Sequence, residues 1–242
     1  MKLNYIITGT GRSGTVFMAR FLTSIGIACT HEAVFTLDGL VYAKEIMSGS
    51  REPVLSWVSR SKFDKGVSFE TECWLDDFGA VEAESSYMAA PYLDIDEIRD
   101  ASVIHVVRNP IKVVNSFCHY LNYFVSSNTV NGYEEFVYTH LPELKKDMTQ
   151  YDRTCLYWVL WNEMVERHRP DYFFRVEDDV ADLMNWLGKT GDHFSDNTIN
   201  SYKRPTQGRF DIGGIKSKEI SDRFVNLGKK YGYPMKSEYL MI

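Results

Sequence analysis

A glycine-rich turn near the first residue is the feature that most constrains this chain. An apolar run that includes Ile6 and Ile7 predicts a buried strand, and Gly9, Gly11 and Gly14 follow it directly. A helical pattern of apolar residues comes next and ends before another glycine. A strand, a glycine-rich turn and a helix in this order can hold a phosphate group, because the backbone N–H groups and the positive helix end face the anion.

The spacing of the glycines resembles the NTPase loop G-x-x-x-x-G-K-[ST], but the chemistry differs. Gly9 and Gly14 have that spacing, whereas Thr15 and Val16 stand where the lysine and the magnesium-binding hydroxyl belong. Valine cannot bind a metal, and the cation of the loop, Arg12, precedes the second glycine. The sequence therefore predicts a loop for the anionic end of a nucleotide rather than for magnesium triphosphate.

The order of strand and helix patterns predicts the fold class. Strand and helix alternate along the chain, which predicts an α/β fold with a parallel β-sheet of about five strands and helices on both faces, P-loop NTPase-like. The length of 242 residues suits a single domain over residues 1–242. The formal net charge of −6 argues against nucleic acid or an anionic membrane as the main partner.

Cysteine usage and hydropathy indicate the compartment. The 4 cysteines are widely spaced and form no C-x-x-C pair, which predicts free thiols in a reducing cytosol and no metal site. No apolar run reaches about 18 residues, so we expect no membrane span. The glycine loop interrupts the first apolar run too early for a secretory signal peptide. We therefore expect a cytoplasmic protein.

A second anion-binding corner is predicted after the fourth strand, residues 101–107. Arg108 follows this strand, and Asn109 and Pro110 are favoured residues at a helix start. Ligands of parallel sheets lie at the carboxyl ends of the strands, and a guanidinium can bind phosphate bidentately. Ser116 can add a hydroxyl from the same helix. The alternative for Arg108 is an ordinary surface ion pair.

Four acid–base candidates follow predicted strands or the second anion corner. His31 and Glu32 come after a short strand at 27–29 and would face the same crevice as the glycine loop, unless they form an ordinary surface loop. Glu84 ends a third predicted strand, where helix capping by the next serines is an equal alternative. His119 is a weaker candidate, one turn beyond Ser116.

A basic, glycine-containing segment near the C-terminal end is a candidate third contact to a nucleotide. It contains Arg204, Gly208 and Arg209 in an otherwise acidic chain. An ordinary surface loop is a near-even alternative. The aromatic residues of a further stretch either line an acceptor pocket or fill the core, namely Phe117, Tyr120, Tyr123 and Phe124.

Together these motifs resemble those of the sulfotransferase family that uses 3′-phosphoadenosine 5′-phosphosulfate. The first family motif, K/R-[ST]-G-T, is matched by residues 12–15, and the second, R-[DN]-P-x-x-x-x-x-S, is matched by residues 108–116. The segment 175–178 resembles the Y-E-D segment of the family. The segment 204–209 matches the family pattern R-K-G-x-x-G only in part, because Pro205 and Thr206 replace the lysine and a glycine.

The resemblance implies a reaction, a co-substrate and roles for individual residues. It implies transfer of a sulfuryl group to a hydroxyl of a small-molecule or glycan acceptor, without a metal, and release of adenosine 3′,5′-bisphosphate. Glu32 is the first choice for the base and His31 the second, and Arg12 would supply charge. The implied nucleotide-binding residues are Gly11, Arg12, Ser13, Gly14, Thr15, Arg108, Ser116, Arg204, Gly208 and Arg209. Two alternatives are a P-loop kinase of a small substrate and a nucleotide-binding module without activity.

Overall fold

A computed structural model describes residues 1–52, 81–125, 131–190 and 210–235. Five parallel strands form one sheet in the order β2-β3-β1-β4-β5, which confirms the predicted α/β fold with about five parallel strands. The strands are β1 (Tyr5–Gly9), β2 (Cys29–His31), β3 (Ala83–Ser85), β4 (Ser102–Val107) and β5 (Tyr172–Arg175).

Helices connect the strands. The α-helices are α1 (Thr15–Ser24), α2 (Gly39–Ser48), α3 (Pro110–Asn115), α4 (Gly132–His140), α5 (Gln150–Arg167), α6 (Ala181–Trp186) and α7 (Lys218–Lys230). Short 3-10 helices span Tyr87–Tyr92, Asp96–Ile98 and Ile212–Gly214, and a π-helical turn spans Ser116–Leu121. Within these described ranges, no helix has the length and apolar character needed to cross a bilayer.

Both faces of the sheet are covered by helices, as the alternating pattern predicts. Ile6 and Ile7 are fully buried neighbours on β1, and they belong to two different apolar clusters. Successive side chains of a strand point to opposite faces, so each cluster covers one face of the sheet. The Ile7 cluster contains residues of α1 and α6, and the Ile6 cluster contains residues of α2, α3, α4, α5 and α7.

Helix α5 is the central element of the larger cluster. Trp158 and Trp161 are fully buried, which confirms that its stripe of large residues belongs to the core. Asn162 of the same helix contacts the buried His105 of β4, with 2.9 Å between Oδ1 and Nε2. Burial lowers the pKa of His105 to about 4, so this ring is neutral at pH 7, as expected of a core histidine.

Two predicted elements differ in their bounds. The second strand spans Cys29–His31 instead of 27–29, because it continues as far as its partner β3 extends. The long helix predicted after Pro110 is α-helical only to Asn115 and then continues as a π-helical turn that begins at Ser116. Such turns are rare and occur frequently at functional sites.

The strand order creates a crevice between the carboxyl ends of β1 and β4. The chain leaves β1 towards β2 on one side of the sheet and leaves β4 towards β5 on the other side. Neighbouring connections diverge at such a switch point, and ligands of open α/β sheets bind there. The glycine loop of residues 9–15 follows β1, and Arg108 follows β4, so both predicted anion corners border the same crevice.

The described cysteines are consistent with free thiols. Cys29, Cys118 and Cys155 are buried and unbonded to one another. Cys73 lies outside the described residues. Burial raises the pKa of the Cys118 thiol to about 11, so it is neutral at pH 7.

Candidate functional site

The glycine loop leads into a helix start without a side-chain cap. Helix α1 begins at Thr15 after Gly14, whose φ is 110°, and neither a capping side chain nor an acidic residue occurs in its first turn. The first N–H groups of a helix have no partner inside the helix, and they carry the positive end of its dipole. This end of α1 can therefore accept an anion at the crevice.

Close backbone packing explains the glycines of the loop. A Cβ at Gly9 would lie 1.9 Å from the carbonyl oxygen of Val106 on β4, and a Cβ at Gly14 would lie 2.7 Å from Val176 Cγ2. Between them, Arg12 adopts a left-handed conformation with φ of 68°. Non-glycine residues in this region carry strain, which is concentrated at functional sites.

Gly11 is held by the aromatic core instead of opening to the crevice. Its N–H group donates to the hydroxyl of Tyr157 at 2.8 Å. A Cβ at Gly11 would lie 2.9 Å from the Tyr133 hydroxyl and 3.0 Å from Phe117 Cζ. The N–H group of Ser13 is also used inside the protein, because it donates to Thr10 O at 3.1 Å. Gly11 therefore shapes the loop, and the N–H group expected to face the anion points towards Tyr157.

Two arginines and a serine meet beside the loop. A terminal nitrogen of Arg108, Nη1, donates to the carbonyl oxygen of Arg12 at 3.3 Å. The Nε atom of Arg12 donates to Ser116 Oγ at 2.9 Å. Arg12 is exposed and lies over the ring of Tyr120 at 5.9 Å. The fold thus joins two sequence motifs that are 96 residues apart.

A carboxylate and a tyrosine hydroxyl support the Arg108 corner. Glu177, just after β5, accepts a hydrogen bond from the Asn109 N–H at 3.2 Å and another from the Tyr233 hydroxyl at 2.9 Å. Burial lowers the pKa of Arg108, while Glu177 and then Tyr233 raise it. Arginine stays charged under these influences, so the corner keeps its cation. Lys112 lies 3.8 Å from Glu177 on the outer side of α3.

His31 lies beside Thr15, the first residue of α1, and Glu32 lies beside His31. His31 Nε2 is 3.2 Å from Thr15 Oγ1 and 3.4 Å from Glu32 Oε1. Burial lowers the pKa of His31 to about 4, with a smaller effect of Arg20 in the same direction. Burial and then Glu84 raise the pKa of Glu32 to about 8, and Arg12 opposes this shift. At pH 7 the imidazole is therefore neutral, and the carboxyl group is close to its own pKa.

Glu84 is fully buried, and its oxygens bind the chain that follows β2. Oε1 accepts hydrogen bonds from three successive N–H groups, and Oε2 accepts one from the Thr30 hydroxyl. Burial raises the pKa of Glu84 to about 7, and the hydrogen bonds oppose this shift. The carboxyl group therefore holds the backbone next to Glu32. The three donors are Ala33 at 3.0 Å, Val34 at 3.1 Å and Phe35 at 3.3 Å.

The structure separates the aromatic candidates into two kinds. Phe117 and Phe124 are 1% and 0% exposed and belong to the core. Tyr120 is 41% exposed, and Tyr123 is half-buried near Arg12. His119 contacts a tyrosine hydroxyl on α5 at 3.2 Å, so its ring is part of the packing beside Ser116.

Some site residues remain as sequence predictions only. Arg204, Gly208 and Arg209 lie outside the described residues. Sequence reasoning missed Tyr157 and Tyr233, which support the loop and the Arg108 corner from distant parts of the chain. A tyrosine among many core aromatics carries no local pattern that would mark such a role.

Comparisons with known proteins add no family to this description. The chain matches no protein-family model, and no curated protein matches it. The functional assignment therefore depends on the residues of the crevice and on their chemistry.

Proposed function

We propose that this chain is a sulfotransferase that moves a sulfuryl group from 3′-phosphoadenosine 5′-phosphosulfate to an acceptor hydroxyl. One observation carries the proposal: the guanidinium of Arg108 lies 3.3 Å from the carbonyl of Arg12, and Arg12 in turn contacts Ser116. A single crevice thus has two cations, a hydroxyl and an uncapped helix start. This set suits a ligand with two separate anionic groups.

The helix start and Arg12 are assigned to the 5′-phosphosulfate, and Arg108 and Ser116 to the 3′-phosphate. In the proposed reaction, the acceptor oxygen attacks sulfur in line as the bond from sulfur to the bridging oxygen breaks. The electron pair stays on that oxygen, which leaves with adenosine 3′,5′-bisphosphate. Arg12 stabilises the charge that grows there, and loss of one such donor costs about 2.7–4 kcal/mol in other enzymes.

Glu32 is the proposed base that accepts the proton of the acceptor hydroxyl. Its pKa of about 8 is close to a neutral working pH, where a general base is most effective. Activity should then rise with pH as Glu32 loses its proton. Glu84 is a poorer choice, because its oxygens already accept four hydrogen bonds inside the protein. His31 is neutral at pH 7 and remains the second candidate.

The kinase alternative conflicts with one position of the loop. Val16 occupies the place of the magnesium-binding hydroxyl, and its side chain offers no oxygen. A transferred sulfuryl group carries less charge than a phosphoryl group, so the proposed reaction needs no metal. A P-loop NTPase-like form of the sheet is part of the same proposal.

Calorimetric titration with three ligands tests the proposal. We expect adenosine 3′,5′-bisphosphate to bind at least tenfold more tightly than AMP or magnesium–ATP. A screen of hydroxyl compounds with sulfur-labelled donor should then find an acceptor. Tighter binding of magnesium–ATP would overturn the proposal in favour of a kinase. Binding of the bisphosphate with neither transfer nor donor hydrolysis would indicate a module without activity.

A further inference from the structure

Thr15 is held by the two strands on one side of β1. The hydroxyl of Ser85 donates to Thr15 O at 2.8 Å, and the Thr15 hydroxyl lies 3.2 Å from His31 Nε2. His31 and Ser85 are directly paired across β2 and β3. The first residue of α1 is therefore fixed through both its carbonyl and its hydroxyl, and His31 is one of the two groups that fix it.

The same imidazole nitrogen also contacts Glu32. Successive residues of a strand point to opposite faces, yet His31 Nε2 is only 3.4 Å from Glu32 Oε1. The left-handed backbone of Glu32, with φ of 55°, turns the chain at the end of β2. The hydrogen bonds to Glu84 hold the next three residues in place. This backbone conformation keeps the Glu32 carboxyl group beside the His31 ring.

We propose that His31 is a positioning residue whose Nε2 atom links the Thr15 hydroxyl to the Glu32 carboxyl group, and so couples an anion at the loop to the proton on Glu32. This inference deepens the proposed function, since it concerns the base of that reaction. His31 then acts on the reaction by positioning the Glu32 carboxyl group, and it does not itself accept the proton of the acceptor.

The link follows from the hydrogen-bonding rules of a neutral imidazole. Nε2 is either a donor or an acceptor, never both. When Glu32 is protonated, its O–H group can donate to Nε2, and the ring carries its proton on Nδ1. When Glu32 is ionised, the ring carries its proton on Nε2 and can donate it to the carboxylate, so the pair as a whole has released one proton to solvent. Because Nε2 has one lone pair or one hydrogen, the Thr15 hydroxyl and the Glu32 carboxyl group compete for a single hydrogen-bonding position in each case. Loss of the Glu32 proton therefore changes whether Nε2 donates or accepts, and this change reaches Thr15 at the end of the glycine loop.

The pKa values of His31 and Glu32 are far enough apart that, of the two, only Glu32 gains or loses a proton near neutral pH. The pKa of about 4 for His31 and about 8 for Glu32 leaves the proton on Glu32 at pH 7. An anion at the loop should disfavour ionised Glu32, and ionised Glu32 should weaken anion binding by the same factor. The other groups that face the pair are Arg20 of α1, Arg12 of the loop, Glu84 of β3 and Tyr87 of the following 3-10 helix.

Carbon-13 NMR titration of the Glu32 carboxyl group tests the link directly, with adenosine 3′,5′-bisphosphate as the anion. In the wild type, saturating bisphosphate should raise the Glu32 midpoint by about one pH unit, which is a tenfold coupling. His31→Phe keeps an aromatic ring but has no hydrogen-bonding nitrogen, and it should remove at least half of this shift. His31→Gln places a terminal amide, whose nitrogen donates and whose oxygen accepts, near the Nε2 position and should restore the shift, whereas the shorter side chain of His31→Asn should not.

Two further readouts keep the test decisive. Without any ligand, the Glu32 midpoint should differ between wild type and His31→Phe and should return in His31→Gln, so the link is tested even if no bisphosphate binds. In the transfer assay, His31→Phe should lower kcat about 100-fold, the loss typical of a misplaced group, with the donor KM within about twofold.

Equal midpoints in wild type and His31→Phe, with and without ligand, would overturn the proposal. A failed acceptor screen with the expected midpoints would contradict the proposed function alone.

Discussion

The hydroxyl of Tyr157 accepts a hydrogen bond from the backbone N–H of Gly11 at 2.8 Å. Both residues are buried, and Tyr157 comes from the middle of α5 on the core side of the sheet. A buried N–H group needs a partner, since an unsatisfied one costs about 1–3 kcal/mol. The loop proposed to bind the anion is therefore supported by a side chain from the core side of the sheet.

Replacing Tyr157 by phenylalanine should loosen the loop while keeping the aromatic packing. We expect the free energy of unfolding to fall by about 1–3 kcal/mol, because the Gly11 N–H loses its acceptor. The dissociation constant of adenosine 3′,5′-bisphosphate should rise by about tenfold, which corresponds to 1.4 kcal/mol. Chemical denaturation and calorimetry measure the two effects.

Tyr172→Phe is the matched control, because it removes a hydroxyl at the opposite end of the sheet. Its binding constant should stay within about twofold of the wild type, as expected for a change away from the site. If Tyr157→Phe binds the bisphosphate as tightly as the wild type, the loop does not depend on this hydrogen bond.

Arg108 should distinguish ligands by their 3′-phosphate. Arg108→Ala removes a charge-assisted contact of about 1.5–3 kcal/mol, so bisphosphate affinity should fall by roughly 10- to 150-fold. AMP lacks the 3′-phosphate, and its affinity should change by less than about threefold. Arg108→Lys should be intermediate, since an ammonium group cannot bind phosphate bidentately. Calorimetry with both ligands makes the comparison.

Lys112→Ala is the control for a general loss of positive charge near this corner. Its ammonium group lies 3.8 Å from Glu177 on the exposed side of α3, so both affinities should stay nearly unchanged. Equal losses for bisphosphate and AMP in Arg108→Ala would remove the assignment of this residue to the 3′-phosphate. The guanidinium would then serve mainly to hold the Arg12 carbonyl.

The parts of this site that sequence predicts are the local ones. The glycine turn after β1 and Arg108 after β4 are recognisable because turn chemistry and helix caps depend on neighbouring residues. Their meeting in one crevice follows from the rule on the carboxyl ends of parallel strands. The bond from Gly11 to Tyr157 joins residues 146 positions apart, and no local pattern predicts such a contact.

Strand pairing and burial determine two features that the sequence alone did not decide, the end of β2 and the choice between Glu32 and Glu84. The second strand reaches His31 because β3, its one neighbour in the described sheet, extends to Ser85, and β2 pairs along the whole of β3. From the sequence Glu84 is a weaker candidate for the base, and in the fold its oxygens already accept four internal hydrogen bonds. Which of two neighbouring carboxyl groups is open to a ligand depends on tertiary contacts, which a single sequence does not display.

Glu84 should matter to stability more than any other carboxyl group near the crevice. Glu84→Ala leaves three buried N–H groups without their acceptor, each at a cost of about 1–3 kcal/mol before relaxation, while the Thr30 hydroxyl keeps the carbonyl oxygen of Ala83 at 3.3 Å as an acceptor. We expect a loss of at least 3 kcal/mol in the free energy of unfolding, about three times a typical substitution. Glu84→Gln keeps one acceptor oxygen and should lose less.

Glu82→Ala, on the same segment but half-buried, is the control for Glu84. Its effect on the free energy of unfolding should stay within about 0.5 kcal/mol, as is usual for substitutions away from the core. Urea denaturation of the three variants gives the comparison. Equal losses at positions 82 and 84 would show that the loop after β2 is not held by the Glu84 carboxyl group.

Glu32 links the proposed chemistry to the pH dependence of stability. Its pKa rises from the ordinary 4.5 to about 8 in the folded protein, mainly through burial. Between these two values the unfolded chain has lost the proton and the folded protein retains it. Stability from this group therefore falls as pH rises through that window, by up to about 1.4 kcal/mol per unit.

Glu32→Gln should remove this pH dependence, because the amide stays neutral. The melting temperature of Glu32→Gln minus that of the wild type should increase steadily from pH 5 to pH 8, then level off as wild-type Glu32 becomes fully ionised. His31, whose pKa of about 4 gives the opposite trend at lower pH, is present in both proteins and largely cancels in the difference. Glu143→Gln, at an exposed position, controls for the loss of one negative charge. A difference that stays constant from pH 5 to pH 8 would mean that the Glu32 carboxyl group is ionised throughout, and a base poised near neutral pH would have to be sought elsewhere in the crevice.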